Sequence, residues 1–178
     1  MRANLLYNRM NIIKSSLFIL LGIHFSVFSA GRGTSIEVDV GAEAPAKIVI
    51  YYKGVDITSG ELNFPLTVNS VSQKFANTSD NFYLVGNVAK ANVVMESLPF
   101  ELTSINSGGG AIPLNGYFTF NAQQTSADRD LVVPVLNRLS DGNSNNGLKV
   151  TFESKNRADD YAVGYYTGKF TMVVTPIL

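Results

Sequence analysis

The sequence contains no cysteine and no tryptophan, and its single histidine is His24. Without cysteine the chain cannot form the disulfides that commonly support secreted domains. Cysteine and histidine also supply the commonest nucleophile, the commonest general base and the usual zinc ligands. The scarcity of these residues argues against most enzymes, so we expect no catalytic residue, no metal and no cofactor.

An excess of charge is also absent, because 14 basic residues balance 14 acidic ones. Three of the basic residues and none of the acidic ones fall within residues 1–30, which leaves 11 basic residues against 14 acidic ones in the remainder. A nucleic-acid-binding domain would present a basic face. We therefore expect no nucleic-acid partner.

Residues 1–30 have the pattern of a secretory signal peptide. Basic residues precede an apolar run from Leu17 to Val27, and the small residue Ala30 follows. The run is shorter than the roughly 20 residues that a membrane-spanning helix needs. We expect cleavage within one or two residues of Ala30, in a precursor that begins at Met1 or Met10. An uncleaved membrane anchor is the alternative.

A short alternating segment follows the expected cleavage site. Ile36, Val38 and Val40 point to one side of an extended chain, and the hydroxyl and carboxylate side chains between them point to the other. A strand with one apolar face needs a hydrophobic groove in which to lie. That groove could belong to the segment's own domain or to a neighbouring copy.

The rest of the chain predicts strands separated by turns. No stretch beyond the first 30 residues combines helical spacing of apolar residues with helix caps. Short strands with turn signals between them, in one domain of this size, predict an all-β sandwich over residues 45–178. The expected strands are 47–52, 61–68, 82–85, 92–103 with a break near Pro99, 117–120, 131–135, 148–153 and 164–175.

The last of these strands has the clearest alternation. One of its faces carries Tyr166, Phe170, Met172 and Val174, and the other is mostly Thr and Lys, with Val173 as the exception. This pattern predicts a half-buried strand close to the C-terminal end.

Paired acidic residues and paired tyrosines are the remaining candidates for a ligand site. Carboxylates are good calcium ligands, but neither acidic pair has the spacing of a calcium loop, so we interpret both as solvated turns. The tyrosine pairs could form a sugar-binding surface, although alternation would bury one member of each. These residues are Asp128 with Asp130, Asp159 with Asp160, Tyr51 with Tyr52, and Tyr165 with Tyr166.

Taken together, the sequence resembles the fimbrial subunits of the alternate-chaperone class, to which the colonization factor antigen pili belong. The resemblance covers nearly the whole chain after the leader, and the absence of cysteine favours this class over the other chaperone-usher pili. The matching segments are 36–40, 72–75 with 82–85, and 164–174.

The resemblance implies an immunoglobulin-like sandwich that lacks its final strand and is completed by donor-strand exchange. In such pili a periplasmic chaperone first fills the open groove, and the N-terminal strand of the next subunit then replaces it. Residues 31–44 would be that donor strand here. The implied donor residues are Ile36, Val38, Val40 and Ala42, and those bordering the groove are Tyr166, Phe170, Met172 and Val174.

The function implied is that of a structural, non-enzymatic subunit of a surface fimbria that supports adhesion. It would pass through the periplasm to the cell surface, and its partners would be other copies of itself, the chaperone and an outer-membrane usher. A tip adhesin and a host receptor are further partners of such fibres. The alternative is a self-complete secreted adhesin or lectin-like domain that binds a host glycan.

Overall fold

The computed structural model of the chain describes residues 39–106 and 109–178. Residues Ala44–Leu178 form one compact unit. The expected signal peptide and the expected donor residues Ile36 and Val38 lie outside the described residues. Across the part of the chain that is described, no helix is long and apolar enough to span a bilayer.

The regular secondary structure of the described residues consists of strands and two short 3-10 turns, at Leu139–Asp141 and Ala158–Asp160. The strands are β1 (Ile48–Tyr52), β2 (Val55–Asp56), β3 (Thr67–Val68), β4 (Phe75–Thr78), β5 (Phe82–Gly86), β6 (Lys90–Met95), β7 (Glu101–Ser104), β8 (Ala111–Phe120), β9 (Gln123–Ser126), β10 (Leu131–Pro134), β11 (Lys149–Ser154), β12 (Tyr166–Thr167) and β13 (Met172–Ile177).

The strands pair into three antiparallel sheets. The largest has the order β12-β7-β8-β11-β4-β3, with β9 added beside β8. The other two have the orders β10-β6-β13 and β2-β1-β5, and a parallel bridge between Val85 and Leu136 links β5 to the chain just after β10. The expectation of an all-β sandwich is confirmed.

One apolar core lies between the sheets. Alternate residues of β6, β8 and β11 face inward, as period-two patterning requires. Each fully buried aliphatic or aromatic side chain contributes about 1.5–3 kcal/mol. The inward residues of these strands include Ala91, Val93, Met95, Ile112, Leu114, Phe118, Val150 and Phe152.

Two buried serines hold β4 and its C-terminal end against β11. The hydroxyl of Ser79 accepts the Val150 N–H at 2.8 Å, and the hydroxyl of Ser154 accepts the Phe75 N–H at 3.1 Å. Ser154 also donates to the Asn156 carbonyl at 2.6 Å. Buried polar groups are costly unless paired, and here both are paired.

The expected strand at 61–68 is wrong over most of its length, because only Thr67–Val68 joins a sheet. Pro65 interrupts the stretch, since proline has no N–H to give to a ladder. Its carbonyl instead accepts a hydrogen bond from the Asn77 side-chain amide at 2.7 Å. Residues 61–66 thus form no strand, although Phe64 and Leu66 pack against the core.

The expected single strand at 164–175 is divided between two sheets. Tyr166–Thr167 pair with β7, whereas Met172–Ile177 pair with β6. The chain crosses from one sheet to the other at Gly168, where an added Cβ would lie 2.7 Å from the Glu101 carbonyl oxygen. Only glycine permits so close an approach, and the prediction of one continuous strand is corrected.

Candidate functional site

Strand β13 is the outermost strand of its sheet and pairs with β6 on one side only. Just before it, the Thr171 carbonyl accepts the Glu96 N–H at 3.0 Å, and the Thr171 N–H donates to the Ser97 hydroxyl at 3.2 Å. Backbone groups alternate in direction along an antiparallel strand. Met172 and Val174 therefore direct their N–H and C=O groups away from β6, toward the free edge.

Pro176 supports this assignment of direction. It occupies the same parity as Met172 and Val174 and lies opposite Ala91 of β6. A proline inside a sheet must turn its nitrogen toward an open edge, because it has no hydrogen to donate to a neighbouring strand. The outward row of backbone groups is thus available to an added strand up to this residue.

The core beneath this edge is not fully covered. Val93 and Met95 on β6 are exposed by 0% and 6%, respectively. Val174 and Met172 lie directly opposite them on β13 and face the same core, yet both remain partly exposed. The difference follows from the position of β13, which lacks a neighbour on its outer side among the described residues.

An aromatic cluster extends this partly open part of the core. The Phe170 ring stacks on Phe152 at 4.7 Å between centroids, and the Phe64 ring meets Phe152 edge-on at 6.1 Å. Phe100 packs against both Phe152 and Phe170, at 5.5 and 5.6 Å. Phe152 and Phe100 are buried, whereas Phe64 and Phe170 are partly exposed. We call the partly exposed side chains of Phe64, Phe170, Met172 and Val174 the open core face.

An exposed ion pair joins the chain segments that carry Phe64 and Phe170. The Lys169 ammonium lies 2.9 Å from a carboxylate oxygen of Glu61, and both side chains are more than 80% exposed. The hydrogen bond from Lys169 and its positive charge lower the pKa of the Glu61 carboxyl below its usual value. An ion pair this exposed is screened by solvent and contributes little to stability.

The four residues expected to border a groove are distributed between two places. Phe170, Met172 and Val174 belong to the open core face. Tyr166 lies on β12, where its hydroxyl oxygen is 2.8 Å from the carbonyl oxygens of both Gly109 and Ala162, and its single hydrogen is donated to this pair of acceptors. Tyr166 therefore anchors a neighbouring loop rather than lying on β13.

Of the four expected donor residues, two are described. Val40 is 88% exposed, and Ala42 is exposed as well. Neither belongs to a strand. Their role as donor residues, like that of Ile36 and Val38, stays a prediction.

The acidic pairs have the geometry of turns. Asp159 pairs with the Arg157 guanidinium at 3.0 Å, and Asp160 accepts the Arg157 N–H at 3.2 Å. Asp128 and Asp130 are exposed. Within the described ranges, no three His, Cys, Asp or Glu residues come together in a way that could hold a metal ion.

The tyrosine pairs are divided between core and solvent. The Tyr52 ring packs on Phe82 at 4.6 Å between centroids, and Tyr51 is partly buried. Tyr165 is 78% exposed, beside the anchored Tyr166. An aromatic sugar-binding surface would therefore have to rest mainly on Tyr165.

Comparison with known proteins finds matches among solved structures. No protein-family model and no curated protein matches the chain. Four chains of solved structures do, and one of them comes from a structure described as "Chaperone-tip adhesin complex is vital for synergistic activation of CFA/I fimbriae biogenesis". It is 13% identical, with a TM-score of 0.46, and the match covers 74% of this chain and 42% of that one. A likeness at this level assigns no role to any residue here.

Proposed function

We propose that this chain is a structural subunit of a surface fimbria that polymerises by accepting a strand at the free edge of β13. The observation that carries the proposal is the partial exposure of Met172 and Val174, directly beside the buried Met95 and Val93. Inward-facing apolar residues at an unpaired edge are what an added strand would cover.

An added strand would act on the edge in two ways. Its backbone would pair with the outward N–H and C=O groups of Met172 and Val174. Its inward side chains would cover the open core face, whose aromatic members rest on Phe152. In strand addition of this kind, main-chain hydrogen bonds supply affinity and alternate side chains supply specificity.

The strand we assign to this role is residues 31–44 of another copy. Ile36, Val38 and Val40 would face the acceptor's core, with Ala42 as a weaker fourth contact, and Glu37 and Asp39 would stay in water. Burial of three β-branched side chains at about 1.5–3 kcal/mol each contributes on the order of 5–9 kcal/mol before ordering costs. That is comparable to the whole stability of a small domain.

Before assembly, the same edge would need a temporary partner. An open edge above partly exposed apolar side chains favours aggregation. A periplasmic chaperone that lends a strand would fill this role, and an outer-membrane usher would receive the subunit for export to the cell surface. The role of the chain in this scheme is assembly, with no catalytic step.

The alternative is a self-complete adhesin or lectin-like domain. The exposure of Tyr165 favours it, because an exposed aromatic ring is a suitable surface for one face of a sugar. Such a domain would remain monomeric and would bind a glycan array through Tyr165. Polymer formation distinguishes it from the fimbrial subunit.

The test is a Val38→Asp substitution in the chain from residue 31 onward, produced in a periplasm together with the chaperone. We expect a folded protein that fails to polymerise, because a carboxylate would replace an inward donor side chain. Glu37→Gln is the matched control, since its side chain faces water, and it should polymerise normally. Size-exclusion chromatography and electron microscopy measure the outcome. Normal polymers from the Val38→Asp chain, or loss of its fold, would contradict the proposal.

A further inference from the structure

A gap interrupts the pairing along one edge of β8. Strand β11 pairs with one edge of β8, and β7 and β9 share the other edge. β7 lies beside Ala111–Pro113, and β9 lies beside Tyr117–Phe120. Residues 114–116 therefore lie between the two partner strands on this edge.

Two buried backbone groups in the gap have no hydrogen-bond partner among the described residues. The Leu114 N–H donates to the Phe100 carbonyl at 2.8 Å, and the Gly116 carbonyl accepts the Ala127 N–H at 2.9 Å. The Ala127 carbonyl accepts the Met95 N–H at 2.8 Å instead of the Gly116 N–H. The Leu114 carbonyl and the Gly116 N–H thus remain side by side on the same edge. Buried backbone groups are rarely left unpaired, so this pair requires water or a ligand.

A hydroxyl group suits this pair better than an amide does. One hydroxyl oxygen can accept from the Gly116 N–H while its hydrogen is donated to the Leu114 carbonyl. A trans amide directs its N–H and C=O to opposite sides, so it cannot reach both groups at once. A peptide strand has no room along this edge, because Phe100 and Ala127 occupy it on either side of the gap.

A cleft of about 510 Å³ gives access to the pair. Its volume is within the range of roughly 300–1,000 Å³ that is usual for small-ligand sites. Leu98 and Pro99 supply exposed apolar surface, and Asp128 and Lys155 supply exposed charges of opposite sign. The half-buried Tyr117 belongs to the same lining. Because the two charges offset each other, the cleft favours a neutral ligand.

We propose that this cleft binds a neutral hexose, with one sugar hydroxyl placed between the Leu114 carbonyl and the Gly116 N–H. Tyr117 covers one face of the pyranose ring, and Asn115 and Asp128 bind further hydroxyls. A sugar combines several hydroxyls with a partly apolar ring, which matches a few polar groups beside apolar and aromatic surface. The site does not depend on strand addition, so a fimbrial subunit and a self-complete adhesin could both carry it.

The test adds the methyl glycosides of glucose, galactose and mannose, one at a time, to the chain from residue 31 onward and follows backbone amides by NMR. The chain carries Val38→Asp to prevent polymer formation, and this position lies outside the compact unit Ala44–Leu178. We expect at least one glycoside to shift the Gly116 amide signal and to slow its hydrogen exchange. The Phe118 amide lies within the ladder to β9 and should exchange slowly with and without sugar.

Deoxy derivatives of the bound glycoside identify the bridging hydroxyl. Removal of that hydroxyl leaves both backbone groups unpaired. Affinity should then fall about four- to a hundredfold, since each hydrogen bond contributes about two- to tenfold. The protection of the Gly116 amide should be lost with it. Removal of a hydroxyl that faces solvent should leave this protection in place.

Three substitutions locate the site. Tyr117→Ala should weaken binding about two- to tenfold, through loss of the ring surface. Asp128→Ala should weaken it about ten- to a hundredfold, because hydrogen bonds to charged groups are the stronger ones. Asp128 is exposed, so this variant stays informative if Tyr117→Ala does not fold. Tyr165→Ala is the matched control and should leave binding unchanged, since this exposed ring lies outside the cleft.

Two results would overturn the inference. One is that none of the three glycosides shifts the Gly116 amide signal. The other is that binding is lost in Tyr165→Ala but kept in Tyr117→Ala and Asp128→Ala, which would place the sugar on another surface. Neither result affects strand addition at β13, which is tested by polymer formation.

Discussion

Strands β6 and β13 lie side by side and present nearly identical residues to the same core, yet they differ in how well that core is covered. Val93 faces Val174 across the pair, and Met95 faces Met172. The β6 residues are buried, and the β13 residues are partly exposed. The paired residues have the same side chains and face the same core. We therefore attribute the difference in their exposure to whether a further strand lies alongside. The comparison supports our proposal that a further strand is added at the free edge of β13.

The largest expected effect comes from the same substitution on the two strands. Val93→Asp should prevent folding, because an unpaired carboxylate in a closed core costs several kcal/mol. Val174→Asp should leave a folded domain, since this position borders solvent, but it should abolish strand addition. Circular dichroism with thermal melting and size-exclusion chromatography measure the two results. Equal loss of fold in both variants would remove the distinction between the strands.

The second largest effect is a loss of stability where the aromatic cluster is buried, at Phe100 and Phe152. A Cβ at Gly116 would lie 2.8 Å from the Phe100 ring and 3.0 Å from the Phe152 ring. We expect Gly116→Ala to lower the free energy of unfolding by about 1–3 kcal/mol, as overpacking does. Gly41→Ala is the control, because nothing lies within 4 Å of its Cβ position. Denaturant titration gives both values, and equal stabilities would show that the cluster has room to relax.

A third effect of similar size is expected where β4 meets β11. Ser79→Ala leaves the buried Val150 N–H without its side-chain acceptor. An unpaired buried donor costs about 1–3 kcal/mol. The exposed Ser59 provides the control, and Ser59→Ala should change stability by under about 0.5 kcal/mol. Denaturant titration distinguishes the two variants, and equal stabilities would mean that another group takes over from the Ser79 hydroxyl.

The smallest effect is expected from the ion pair between Glu61 and Lys169. Because Lys169 lowers the pKa of Glu61 in the folded chain, the contribution of the pair is present above the ordinary titration range of glutamate. It is lost as the pH falls through the lowered pKa. The difference in melting temperature between the native chain and Glu61→Gln should therefore shrink below about pH 4 and at high salt. A difference that grows on acidification would contradict the assigned pairing.

The parts of the fold that could be predicted are strands with a clear local pattern. β11 was expected at nearly its observed position because its apolar and polar residues alternate, and β1 and β5 because each is a short run rich in β-branched or aromatic residues. β9 was missed, since its residues are polar and its hairpin turn is Asn121–Ala122 rather than a glycine-containing pair. Both turn residues have positive φ, which alanine rarely adopts.

The candidate site could be predicted only in part. Alternation found Phe170, Met172 and Val174, but it placed Tyr166 on the same strand, because the crossing at Gly168 depends on contact with distant Glu101. No local pattern marks Phe64, Phe100 and Phe152 as one cluster, since they are brought together from three separate segments. Which edge of β13 is free depends on long-range pairing, and sequence periodicity does not contain that information.

Amide hydrogen exchange tests the proposed acceptor edge of β13 most directly. In the Val38→Asp chain from residue 31 onward, the amides of Met172 and Val174 should exchange fast, while those of Val173 and Thr175, which face β6, should exchange slowly. Addition of a peptide of residues 34–44 should slow Met172 and Val174 and leave the other two unchanged. Equal protection of all four amides without the peptide, or no response to it, would contradict an open acceptor edge on β13.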